Sequence, residues 1–133
     1  MTDGSSVQMR FTRADLPRLR LLVGDAAALA GLDENRCEEL VLAVYELACN
    51  AIVHGGGAGS LLLSRVNASV RCQVSDDGPG FADIPARNFA TAAAPGGGLW
   101  LARQLTDGIE INSGAAGGAV VTLVVRCRSN AAN

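Results

Sequence analysis

The chain has 133 residues, of which 49% are hydrophobic and 18% charged, and its formal net charge is −2. That is enough material to bury a core in one globular domain, too apolar for a disordered segment, and too near neutrality for a nucleic-acid or anionic-membrane footprint. No apolar run approaches the roughly 20 residues of a membrane-spanning helix, and the opening MTDGSSVQMRFTR holds no stretch resembling an export signal, so the cytoplasm is the expected compartment.

In chain order, Val7 to Thr12 alternates apolar and polar residues and predicts a first strand, leaving residues 1–6 as a loose tail. Asp15 is placed to cap a helix that tolerates Pro17 in its first turn and runs to about Ala30, where Gly31 stops it. Asp33 is the cap of a second, longer helix ending at His54 and the three glycines 55–57. Ser60 to Val66 and Val70 to Ser75 read as two strands of a hairpin turning at Asn67. A loop rich in Pro, Gly and Ala follows, then a helix over Leu99 to Thr106. Two further strands, Gly108 to Asn112 and Ala119 to Arg126, close the chain before a tail at 127–133. Strands joined as hairpins are antiparallel, and three helices suffice to cover one face. The expected fold is therefore an α/β two-layer sandwich, a mixed and mainly antiparallel sheet with helices on one face, filling residues 1–133 as a single domain.

Two absences narrow the chemistry. The four cysteines, Cys37, Cys49, Cys72 and Cys127, form no CxxC pair, and His54 has no Cys at ligand spacing, which argues against zinc. All 11 basic residues are arginine, so a P-loop and a eukaryotic-type kinase, both of which need a lysine, are excluded. Any phosphate here is handled by backbone amides, arginine and a metal ion.

Three segments are candidates for a site. On the second helix, Leu40, Val44, Leu47 and Ala51 form the core stripe, while Glu39, Glu46, Asn50 and His54 form another, with Glu46 and Asn50 one turn apart. Singly, such polar residues are ordinary solvent-facing decoration; together, ahead of a glycine cluster, they suit a site. Asp76-Asp77-Gly78-Pro79-Gly80-Phe81 follows a strand and by itself makes a competent tight turn. A carboxylate at that strand end is also placed to accept a hydrogen bond from an exocyclic amine, with Gly78 and Gly80 letting the backbone pass close by. Gly96-Gly97-Gly98-Leu99 opens a helix whose free amides favour an anion. Plainer readings serve the remainder: His54 as a helix-end residue, Arg103 as a solvated arginine, Arg87 as a candidate phosphate contact, and Trp100 and Phe81 as packing.

Taken in this order, the three segments resemble the nucleotide site of the GHKL (Bergerat-fold) ATPases, the superfamily of gyrase, the heat-shock chaperones and histidine kinase catalytic domains. ELACNAIVH at 46–54 looks like the N box, DDGPG at 76–80 like the DxGxG box and GGGL at 96–99 like the second glycine box. With the E-x-x-x-N helix and only Phe81 to Pro95 between the glycine boxes, the chain is most similar to the bacterial anti-sigma-factor serine/threonine kinases. That resemblance implies ATP and Mg²⁺ as ligands. Asn50 would coordinate Mg²⁺, and Glu46 would be the catalytic base. Asp76 would bind the adenine amine in a pocket shaped by Gly78 and Gly80, and Gly96, Gly98 and Leu99 would face the phosphates.

The resemblance also implies an anti-sigma regulatory factor that binds a sigma factor, phosphorylates its anti-anti-sigma antagonist, and forms a homodimer. The alternative is a catalytically weak or inactive ATP-binding interaction module; a detached histidine kinase catalytic domain ranks last, since His54 lies within the nucleotide motif. One departure favours the alternative. Where the family has Gly-Thr at the start of the last strand, Gly118 is followed by Ala119, and alternation puts Thr122 on the opposite face. The glycines at 55–57 also promise a looser chain than a rigid pocket wall needs. The first helix, with Arg18, Arg20 and several leucines, is either a partner surface or simply core.

Overall fold

Phe11, Leu61, Leu63, Val70, Cys72, Val74, Val121, Leu123 and Val125 fall at every second position along four strands, and all nine are buried in a computed structural model of the chain. The structure describes residues 2–76, 98–113 and 118–127. The strands are β1 (Thr2–Thr12), β2 (Ala58–Val66), β3 (Ser69–Asp76), β4 (Gly108–Ser113) and β5 (Ala119–Arg126). They form a sheet in the order β1-β2-β3-β5-β4, and every described pairing is antiparallel. Helices α1 (Leu16–Leu29), α2 (Glu34–His54) and α3 (Gly98–Leu105) cover the apolar face. The sandwich expected from the sequence is thus the fold observed. The tail expected at 1–6 is not loose throughout, because β1 begins at Thr2, which pairs with Val66 ahead of a register shift before Ser6. At the other end Cys127 donates its N–H to Ala68 O at 2.7 Å.

Local chemistry sets each helix boundary. Asp15 does not cap α1 as expected; its carboxylate turns back to accept the Thr12 N–H at 2.9 Å, closing a short 3₁₀ turn at Arg13–Asp15. Gly31 does stop α1, with φ +105, while Gly31 N–H and Leu32 N–H return to Ala28 O and Ala27 O. These are the two bonds of a Schellman cap. Arg65 completes the end by donating Nη1–H to Ala30 O at 2.6 Å. Asp33 caps α2 through Arg36 N–H at 2.8 Å. Asn67 takes the left-handed conformation, φ 56, that the two-residue β2–β3 turn requires.

Helix α2 is the spine of the molecule. Its predicted stripe, Leu40, Val44, Leu47 and Ala51, is 0–4% exposed, and the helix packs on β2, β3 and β5 while touching both other described helices. Leu19, Val23, Ala26 and Ala27 turn α1 onto the core, whereas Leu21 and Leu29 are exposed, so the leucines of α1 are divided between the two roles. The outer face of the sheet carries Gln8, Ser60, Gln73 and Glu110. Thr122 lies on that face, opposite to Ala119 as expected, and is buried there between Gln73 and Glu110.

Candidate functional site

Three chain segments converge around the C-terminal half of α2. Glu46 and Asn50 are half-buried, one turn apart, on the flank that faces α3. Gly98, the first residue of α3, stands against both: a Cβ at this position would lie 3.2 Å from Asn50 Nδ2 and 3.4 Å from Glu46 Oε2. Any larger residue would fill the space between the helix start and the two polar side chains. The buried Leu99 and Ala102 hold α3 in that position. The side chain of Leu99 belongs to the core, so what it offers a ligand is its backbone.

The second cluster lies where α2 ends. Asp76 is the last residue of β3 and shares a face with the buried Val70, Cys72 and Val74, so its carboxylate points into the helix layer rather than to the outer face. There it accepts the backbone N–H of Ala119 at 3.3 Å through Oδ1. Two glycines crowd it. A Cβ on Gly55 would overlap the Cβ and Cγ of Asp76, and one on Gly118 would overlap the Asp76 carbonyl oxygen. Gly55 is therefore a tight, buried contact and not part of a loose turn, while Gly56 and Gly57 are exposed with φ of 90 and 89. Neither glycine contact announces itself in the sequence, because Gly118 is far from Asp76 along the chain and Gly55 sits in a run that resembles any glycine-rich helix stop.

Gly78, Gly80 and Gly96, with Phe81 and Arg87, lie outside the described residues. His54 is the last residue of α2, half-buried as a helix end; Trp100 is half-buried and Arg103 exposed. Cys49, beside Asn50, is a free thiol whose pKa is raised, first by burial and also by the charge of Glu46, with a hydrogen bond from Tyr45 opposing. It is protonated at neutral pH and offers no thiolate to the site. Glu46 also lines a groove of about 470 Å³ between α1 and α2, with Arg20, Gly24, Glu38, Val41 and Tyr45. Arg20 stacks over the Tyr45 ring at 5.3 Å.

The site's donor set suits a magnesium ion carried by a nucleotide. Among the described residues no three His, Cys, Asp or Glu side chains are grouped to hold a metal by themselves. Mg²⁺ is commonly held by one or two protein oxygens with phosphate oxygens and water completing its shell, and the carboxamide of Asn50 beside a glycine-lined helix start meets that need.

A strand-end carboxylate, an Asn-bearing helix and a helix that starts at a glycine thus meet on one antiparallel sheet. The family model for the histidine kinase-like ATPase domain matches residues 9–125, and the chain belongs to that family, which implies ATP binding. The structure is similar to the crystal structure of the RsbU and RsbW domains of Rv1364c from Mycobacterium tuberculosis, with a TM-score of 0.69 at 21% identity. The match covers 92% of this chain and 32% of that one, so the chain spans about a third of its length, and what the two share at this identity is the fold. No curated protein sequence matches. Among the described residues no helix is long and apolar enough to cross a membrane.

Proposed function

We propose that the chain binds Mg-ATP and transfers its γ-phosphoryl group to a serine or threonine hydroxyl of a partner protein, as an anti-sigma regulatory factor of the cytoplasm. The observation that carries this reading is the meeting of Gly98 with both Asn50 and Glu46, which puts a helix N-terminus, a carboxamide and a carboxylate at one point. Phosphoryl transfer needs chiefly positioning and charge stabilisation, and those three groups supply both.

In this account Asp76 accepts a hydrogen bond from the adenine amine, with Gly78 and Gly80 shaping that end of the pocket. Asn50 holds Mg²⁺, and the amides at Gly96, Gly98 and Leu99 face the phosphates. When bound, the metal neutralises charge on the phosphate oxygens. Glu46 takes the proton of the acceptor hydroxyl as its oxygen bonds to the γ-phosphorus. The bond to the β–γ bridging oxygen breaks, and ADP departs with the electron pair. In this account the acceptor hydroxyl approaches through the groove between α1 and α2, which Glu46 lines. The proposed macromolecular partners are a sigma factor and its anti-anti-sigma antagonist, and the proposed assembly is a homodimer. The test is incubation of the purified protein with Mg-ATP and its cognate antagonist: phosphoserine or phosphothreonine on the antagonist supports the reading, and its absence refutes the kinase.

A second reading is favoured by Ala119. It supplies a backbone N–H to Asp76 and no hydroxyl to a base. On this view ATP orders a protein-binding surface and no phosphate moves. The two separate cleanly in cells: a kinase needs Glu46 and Asn50 alike, whereas a binding module needs Asn50 and tolerates Glu46→Ala.

A further inference from the structure

We infer that Gly55 and Gly118 are positioning residues that fix the Asp76 carboxylate and so determine which nucleobase the pocket accepts; the inference rests on the proposed role of Asp76 toward adenine. Asp76 is gripped from two directions by segments remote from it in sequence. Gly55, directly after α2, lies against its side chain, and Gly118, directly before β5, lies against its carbonyl oxygen and 3.3 Å, at a would-be Cβ, from its Oδ1. The next N–H along, that of Ala119, is the one Oδ1 accepts.

The need for glycine at both places is a need for space. Gly55 has φ −113 and ψ 27, a negative-φ conformation open to other residues. Yet a methyl on Gly55 would overlap Cβ and Cγ of Asp76 and stand 2.5 Å from Ala51 O. One on Gly118 would overlap the Asp76 carbonyl oxygen and stand 3.0 Å from its carbon. The atoms in the way are backbone or the root of a short side chain, which cannot swing aside as the end of a long one does. Either methyl therefore moves the carboxylate itself.

The consequence reaches the base-reading end of the pocket and spares the other. Helix α2 carries Asn50 and ends at Gly55, so one rigid element sets both the metal-holding group and the wall against Asp76. Gly98 touches Asn50 and Glu46, and no contact joins it to Asp76 among its nearest neighbours. A displaced Asp76 would cost the bond to an exocyclic amine while the triphosphate end kept its partners. A carboxylate–amine bond is of the charge-assisted kind, and its loss corresponds to roughly 10–100-fold in affinity.

The experiment compares Mg-ATP with Mg-ITP, which carries a carbonyl oxygen in place of the 6-amine, by calorimetry on wild type, Gly55→Ala, Gly118→Ala and Asp76→Asn. Wild type should prefer ATP, and Gly55→Ala and Gly118→Ala should lose that preference, as Asp76→Asn does, with ITP affinity changed less than about twofold. A merely structural role would weaken both nucleotides in proportion and leave their ratio intact, and that result overturns the inference. If a glycine variant lacks a cooperative melt, Ala119→Pro replaces the N–H that Oδ1 accepts with a ring carbon that cannot donate, at a strand's first residue where proline is tolerated, and is judged by the same ratio. Retained selectivity there, or loss of the melt in all three variants, equally overturns it. A wild type with no preference for ATP refutes the reading of Asp76 instead, which keeps the two failures distinct.

Discussion

Arg36, on the first turn of α2, pairs its guanidinium with the carboxylate of Asp107, 71 residues further on. The same carboxylate accepts the N–H of Arg126 at 2.7 Å, so one side chain ties the start of α2, the α3–β4 turn and the end of β5. Arg36 is 15% exposed and Asp107 34%, Glu39 stands 3.6 Å from the same guanidinium, and among the described residues the buried Nε of Arg36 meets no acceptor. Asp107→Ala, which removes two charge-assisted hydrogen bonds at a partly exposed junction, should cost about 1–2 kcal/mol, measured as the shift in urea unfolding free energy. Glu110→Ala, which breaks the exposed Arg71–Glu110 pair at 3.7 Å, should cost no more than about 0.5 kcal/mol. Equal losses would contradict the assignment.

Arg65 closes the end of α1 from a neighbouring strand, donating to Ala30 O and, through Nε, to Asn67 O at 2.9 Å. Arg65→Met keeps most of the apolar stem and removes both bonds together with a cation at a helix C-terminus. The expected loss is about 1–2 kcal/mol, with the native fold retained by circular dichroism.

Burial pushes the Cys72 thiol from 9.0 up to about 12. An unfolded chain gives up that proton near pH 9 and the native chain only near pH 12, so deprotonation favours unfolding in between. The contribution is complete below about pH 9 and lost as the pH rises toward about 12. The raised thiols of Cys37 and Cys49 act in the same direction. Denaturation across this window should show stability falling with pH in wild type and a shallower fall in Cys72→Ala. Native Cys72 should also resist thiol reagents until the protein unfolds; identical slopes for the two proteins would rule the account out.

What was legible in the sequence follows the range of the interaction. Helix α2 announced itself because its cap, Asp33, and its stripe, Leu40 to Ala51, are local patterns of one period. The β2–β3 hairpin followed from Asn67 between alternating runs. The cap of α1 differs because Asp15 already has helical dihedrals, φ −89 and ψ −4, and its carboxylate bonds back to the Thr12 N–H instead of forward into the helix. Arg36–Asp107, Arg65–Ala30 and Ala119–Asp76 join residues 71, 35 and 43 apart, and no local pattern encodes them. The tightness of Gly55 was hidden for the same reason: its neighbour is the end of a strand that only the fold brings there.

For the proposed chemistry, Glu46→Gln keeps the size and hydrogen-bonding capacity of the side chain and removes the base. It should leave Mg-ATP affinity within about twofold while lowering the phosphorylation rate by about 10²–10⁴. Asn50→Ala should instead reduce nucleotide affinity in the presence of Mg²⁺ and leave the weaker metal-free binding unchanged. Calorimetry with a single-turnover phosphorylation assay separates the two effects. A Glu46→Gln protein of undiminished rate would remove Glu46 from the base role.

The most direct test of the site is calorimetric titration of wild type and Asp76→Asn with ATP and ADP, with and without Mg²⁺. The account predicts ATP binding strengthened by Mg²⁺ in wild type and weakened roughly 10–100-fold in the variant, in which an amide replaces the anionic acceptor. Failure of wild type to bind either nucleotide, or equal binding by Asp76→Asn, would contradict the placement of the base at the junction of Gly55, Asp76 and Ala119.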